Sequence, residues 1–307
     1  MTSNRSRVGP VLTQEDGLKV RETLLRVEPI ADLYIKEKWD EANMAKPPVL
    51  LLHGGGMDGS GWDIPIAGLS LIDVLAGGGS RTFALDFRAH GRSSRVPDGG
   101  SVTGEQLIAD TLAVLEQIRA VTGSARVVLV GESMGAGVAS RIAEREPARV
   151  AGMALLGFIY KNASIPAEVI AQAVAEAYGG YSYVRESEWA ATTLATAAPE
   201  VIAWHRAQFG AAFAFPIGVF LGAGQSPDRT PDRVTARVLI VTGDRDPLAN
   251  LPDIEAYLRD VGTVHTRHLY QREVGHLPYV DRQAREVQQA IVELIDGCMD
   301  DKERRQR

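Results

Sequence analysis

Covalent cross-links are excluded at once, because the sequence holds one cysteine, Cys298, and a single thiol forms no internal disulfide. Nothing therefore argues for an oxidising compartment, and Cys298 reads as an incidental residue at the end of a C-terminal helix. Surplus positive charge is lacking as well. Lys and Arg number 33 against 39 Asp and Glu, a net charge of -6, and no Lys/Arg run marks a surface for nucleic acid or anionic lipid. No stretch approaches the roughly 18 uninterrupted apolar residues a membrane helix needs. Residues 1–10 are polar and lack the apolar centre of a signal peptide. The expectation is a cytoplasmic protein whose partner is a small-molecule substrate, with no nucleic acid and no membrane. Metal chemistry also lacks its signatures, since the six histidines show no H-E-x-x-H or H-x-x-E-H spacing. No metal and no cofactor is expected.

What the chain does have is enough apolar material for a sizeable core: 45% of its 307 residues are hydrophobic and 23% are charged. Segments 18–27 and 32–39 alternate apolar and polar residues, which suits an antiparallel strand pair. Later apolar runs do not alternate: PVLLLH (48–53), RTFALD (81–86), RVVLVG (126–131), VAGMALL (150–156) and RVLIVT (237–242). Such runs suit strands covered on both faces, as in a parallel sheet. Between them, residues 104–120 carry apolar side chains at helical spacing, and Pro147 ends the helix after Gly131. A last strand over 263–270 leads to a helix over 283–295, and the ends of the chain (residues 1–12 and 300–307) look frayed. Strands alternating with helices imply a mostly parallel central sheet with helices on both faces, an α/β class.

One interval breaks this rhythm. About 80 residues separate the strand ending at Leu156 from the one starting at Arg237, far more than an ordinary connection. The spacing predicts helices over 167–178, 186–197 and 199–213, the last starting at a proline. Residues 158–233 are thus expected to form an inserted helical cap, and residues 1–157 with 234–307 the core.

The most informative segment is Gly131-Glu-Ser-Met-Gly135, a G-x-S-x-G pattern with an apolar strand before it and a helical stretch after it. That strand–turn–helix context is what a nucleophile elbow requires. Three further motifs accompany it: HGGG at 53–56 with Trp62 beyond, DFRAHGRS at 86–93, and GDRD at 243–246 with Gly275-His276 downstream. Together they make residues 49–295 resemble the α/β-hydrolase superfamily, and in particular capped serine esterases, haloperoxidase-like proteins and carbon–carbon bond hydrolases. Ala89 stands where that family usually has glycine, and Ala136 replaces a frequent second glycine after the elbow.

The resemblance implies roles. Ser133 is the expected nucleophile, His276 the base and Asp246 the acid that orients it, in the chain order typical of the fold. Asp244 competes for the acid role, and the family pattern favours the last position of GDRD. The amides of Gly55 and Met134 are the expected oxyanion donors. His265 and His268 fall in the strand reading, while His53 and His90 belong to loop motifs of usually structural role. In the cap, Trp189, Trp204, His205 and Phe209 are candidate substrate contacts, although the same aromatics also suit the cap's own small core. Hydrolysis of a carboxylic ester of a small apolar or aromatic substrate is the leading expectation. Carbon–carbon bond hydrolysis, acyl transfer and non-catalytic ligand binding are the alternatives. Epoxide and halide hydrolysis are disfavoured, because those relatives carry aspartate at the elbow. The acyl-chain preference and the oligomeric state are not legible in these residues.

Overall fold

The computed structural model describes residues 6–14, 16–161, 167–219 and 228–306. The two alternating segments pair as expected. Strands β3 (Lys19–Val27) and β4 (Ala31–Trp39) are antiparallel with Lys19 opposite Trp39, and the short β1 (Ser6–Val8) and β2 (Leu12–Thr13) pair with β3. The five apolar runs become β5 (Val49–Leu52), β6 (Thr82–Leu85), β7 (Val127–Glu132), β8 (Val150–Leu156) and β11 (Arg237–Gly243), with β12 (Thr266–Gln271) at the far edge. They form one sheet in the order β1-β3-β4-β6-β5-β7-β8-β11-β12, with β2 off this path. From β6 to β12 every neighbouring pair is parallel.

The apolar runs do not alternate because both faces of the sheet are covered. Along β5, Leu50 and Leu52 pack into a core shared with helices α2 (Gly104–Thr122) and α3 (Met134–Arg145). Val49 and Leu51 enter the opposite core, shared with α1 (Leu71–Gly77) and the C-terminal helix. That C-terminal helix (Ala284–Gln306) runs through the polar tail read as frayed, while residues 1–5 lie outside the described residues. Its Cys298 is buried and packs against β8, where a side chain at Gly152 would meet its Sγ at 2.7 Å. No helix of the described residues is long and apolar enough to cross a membrane.

The cap interval departs from the expectation in one respect. Helices α4 (Ala167–Ala175), α5 (Glu186–Thr193) and α6 (Pro199–Phe209) are present, each shorter than the spacing predicts. Strands β9 (Tyr181–Arg185) and β10 (Ala212–Pro216), one on each side of α5 and α6 in the chain, pair as a two-stranded antiparallel sheet. The predicted helix over 199–213 overran because Gly210, at φ 74°, ends α6 in a backbone conformation that glycine favours. The Ala-Phe-Ala-Phe that follows alternates with period two, as a strand does. Residues 162–166 and 220–227 of the expected cap lie outside the described residues. Two helices after the cap complete the numbering: α7 (Leu251–Asp260) against the first core, and the C-terminal helix as α8.

Candidate functional site

Strand β7 feeds directly into α3, and Ser133 is the single residue between them. Its backbone lies at φ 49°, ψ −110°, outside the comfortable range of an L-residue. That strain holds only because the flanks are tight. A Cβ at Gly135 would sit on the Leu52 carbonyl of β5, and one at Gly131 on the Gly135 carbonyl. The two glycines of the motif are therefore required by close backbone approach, and they lift the serine to the end of the sheet.

The loops after β11 and β12 deliver the other two candidates. His276 Nδ1 lies 2.9 Å from both carboxylate oxygens of Asp246. Asp246 Oδ1 also accepts from the amides of Leu248 and Ala249 at 2.8 and 3.0 Å, so the carboxylate is fixed by its own turn before it holds the imidazole. Asp244 faces elsewhere, accepting from the Glu273 amide at 2.6 Å. Burial alone would push the His276 imidazole down. The Asp246 charge and hydrogen bond, helped by Glu132, hold it above its ordinary value instead. Nε2 of His276 is buried and has no hydrogen-bond partner. The Asp–His bond is thus formed, while no hydrogen bond joins His276 Nε2 to Ser133.

The loop carrying the HGGG motif follows β5 beside the elbow. His53 Nε2 accepts from the Phe87 amide at 3.0 Å, and its Nδ1 donates to the Gly54 carbonyl at 2.8 Å. This histidine is a neutral strut, as its burial also favours. The DFRAHGRS loop is similarly structural: Arg88 forms a buried two-bond pair with Asp110 of α2 at 2.8 and 2.7 Å. Ala89 takes φ 66°, which explains why glycine suits that position.

The inserted segment 158–233 reaches the HGGG loop through four side chains. Trp189 Nε1 donates to the Gly55 carbonyl and His205 Nε2 to the Gly56 carbonyl, both at 3.2 Å. The two rings stack with centroids 4.3 Å apart, and the Glu186 carboxylate lies 3.1 Å from His205 Nδ1. Phe213 and Phe215 of β10 stand over the same glycines: a side chain at Gly55 would meet Phe215 at 2.7 Å, and one at Gly56 would meet Phe213 at 2.8 Å. Of the four cap candidates, then, Trp189 and His205 meet the core loop. Phe209 packs on His205 at 4.5 Å and Trp204 on Phe209 at 6.3 Å, within the cap itself. Tyr178 and Tyr183 are exposed.

Sequence reasoning passed over two features of the site. Asp281 Oδ2 accepts from the Gly275 amide at 3.0 Å and from the Thr196 hydroxyl, tying the His276 loop to the cap. Glu132, the unspecified second residue of the elbow motif, is fully buried, and its Oε1 lies 3.6 Å from His276 Nε2. An acidic residue inside a strand end that otherwise reads as apolar was the available signal.

Comparison with known proteins agrees with this architecture. Residues 49–290 match the profile of a family described as the alpha/beta hydrolase family. A protein of Mycobacterium phage D29 that carries the name of a non-heme haloperoxidase is 34% identical over 109 residues, 36% of this chain and 35% of that one. The alignment thus spans about a third of that relative's length. Among solved structures, a hydrolase from Pseudomonas aeruginosa PA01 superposes with TM-score 0.70 at 21% identity, covering 89% of this chain and 97% of that one. A thermophilic esterase from Thermogutta terrifontis superposes with TM-score 0.66 at 21% identity, covering 94% and 99%. At such identities the two structures speak to fold alone.

Proposed function

The chain belongs to the α/β-hydrolase family, and from that premise we propose that it is a serine hydrolase cleaving carboxylic esters through an acyl-enzyme. Its core would be residues 1–157 with 234–307, and its cap residues 158–233. The observation that carries the reading is the pairing of Asp246 with His276 Nδ1 at the same sheet edge as the strained Ser133. Asp246 leaves Nδ1 protonated, so Nε2 presents its lone pair. In the proposed reaction Ser133 Oγ attacks the ester carbonyl as its proton passes to His276 Nε2. The imidazolium then protonates the departing alkoxide. Water repeats the sequence on the acyl-enzyme, releasing the acid and restoring Ser133.

The negative charge on the tetrahedral carbonyl oxygen needs donors that are already aimed. The Met134 amide at the start of α3 and the Gly55 amide are assigned this part, each worth on the order of 10² to 10³ in rate. Trp189 and His205, by gripping the carbonyls of Gly55 and Gly56, orient the glycine loop, and the apolar rings of Phe213 and Phe215 favour an apolar or aromatic acyl group. A small-molecule substrate suffices, and no cofactor is needed for these steps.

The test is initial rates on p-nitrophenyl esters from acetyl to decanoyl for the wild type and Ser133→Ala. Turnover that falls by at least about 10³-fold in Ser133→Ala supports the reading. Equal rates in both proteins overturn it.

A further inference from the structure

The imidazole of His276 lies between two buried carboxyl groups. Asp246 is bonded to Nδ1. Glu132, one residue before Ser133 on β7, faces the opposite nitrogen, its Oε1 3.6 Å from Nε2. Both side chains of this second pair are 2% exposed, and both Glu132 Oε2 and His276 Nε2 have no hydrogen-bond partner. The position is built rather than accidental. Glu132 occupies the space a side chain at residue 54 would need, since a Cβ on Gly54 would coincide with its carboxyl. The other groups bearing on the pair are Asp246, the Gly54 amide and Tyr279 from the segment after the His276 loop. Asp58 acts in turn on Tyr279.

A carboxyl at this distance cannot be neutral to the base. Ionised, it stabilises an imidazolium. Protonated, it leaves Nε2 uncharged and open to the serine hydroxyl. Both arrangements hold the same number of protons, so one proton placed on the pair has two alternative seats. We propose that Glu132 is a positioning residue for the base: it shares a single proton with His276 and thereby sets the pH range in which Nε2 is free to take the proton of Ser133. This rests on the serine-hydrolase reading. In the competent state the shared proton sits on Glu132 and stays there. The Ser133 proton moves to Nε2 as the Oγ–acyl bond forms, and then passes to the leaving oxygen. Burial, which pushes the Glu132 carboxyl up to about 8 against the smaller opposing pull of His276, is consistent with a proton held there at neutral pH.

Two measurements test this, one of them independent of turnover. The first is the pH profile of kcat/KM for wild type and Glu132→Gln on the best p-nitrophenyl ester. Two ionisations are expected in the wild type. A single ionisation is expected in the variant, close to the lower of the two wild-type steps, because glutamine mimics the protonated carboxyl and only the second proton of the pair is lost. The second follows His276 by NMR in Ser133→Ala with and without Glu132→Gln, circular dichroism confirming that each is folded. A two-step titration that loses its upper step and keeps the lower one supports the shared proton, whether or not esters are turned over. One unchanged midpoint in both proteins overturns it. Absence of ester turnover in the wild type would count against the hydrolase reading alone, leaving the NMR titration to decide the role of Glu132.

Discussion

Asp246 has two tasks at one carboxylate, and they can be separated. Its Oδ1 accepts the Leu248 and Ala249 amides, which an asparagine oxygen can also do. Only a carboxylate, however, presents acceptors at both oxygens to His276 Nδ1. Asp246→Asn should keep the turn and the unfolding midpoint while the ring adopts the wrong tautomer. The expected loss in kcat is on the order of 10⁴, read from ester hydrolysis alongside a thermal melt. A melt displaced by many degrees with only a small loss in kcat would mean that the residue merely caps its turn. Asp244, two positions earlier in a motif of similar residues, does not bond His276: its carboxylate accepts from the Glu273 amide. Spacing alone leaves both acids eligible; the family pattern favours Asp246, and Asp246 is the one whose carboxylate bonds His276.

Among the elements, the strand–turn–helix unit of β7, Ser133 and α3 shows most directly how sequence dictates a site. The clash distances place α3 against β5 with no room for a methyl group at Gly135, and the obstacle is backbone, which cannot rotate away. Gly135→Ala should therefore destabilise the protein by about 1–3 kcal/mol, seen as a lower urea midpoint with an unchanged slope. Wild-type stability in this variant would show that the helix can shift freely. This unit was legible because its glycines, apolar strand and helix fall in an unbroken order along the chain. The β9–β10 strand pair was not. Its Ala-Phe-Ala-Phe segment follows a proline-started helix with similar apolar content, and only Gly210 and Ala211 separate the two periods. Glu132 was in view within the motif yet uninterpreted, because its meaning comes from a histidine 144 positions away in sequence that the fold brings within 3.6 Å.

For the molecule as a whole, the contrast is between a doubly covered sheet and the thinner segment inserted at 158–233, the proposed cap. Strands β5, β7 and β8 are buried along nearly their entire length, whereas α5 and α6 together bury few side chains and Tyr178 and Tyr183 remain exposed. Amides of β9, β10 and α5 should accordingly exchange with solvent at least about tenfold faster than those of β5 and β7, as expected where few apolar contacts protect the backbone. Uniform protection across both would indicate a cap that opens only with global unfolding. The parallel core was readable because fully buried strands leave continuous apolar runs. The boundaries of the cap's helices were less so, since their alanine-rich stretches carry little contrast between an inner and an outer face.

The grip of Trp189 and His205 on the carbonyls of Gly55 and Gly56 has an evolutionary corollary. A carbonyl oxygen belongs to the main chain, so a point mutation in the glycine loop cannot delete it. Heritable variation in this contact must arise mainly on one side, in the cap. Descendants of this protein could change how tightly the roof is fastened by trading those two rings, while the floor beneath stays chemically constant. Selection for a new substrate would then find its first accessible steps in the roof.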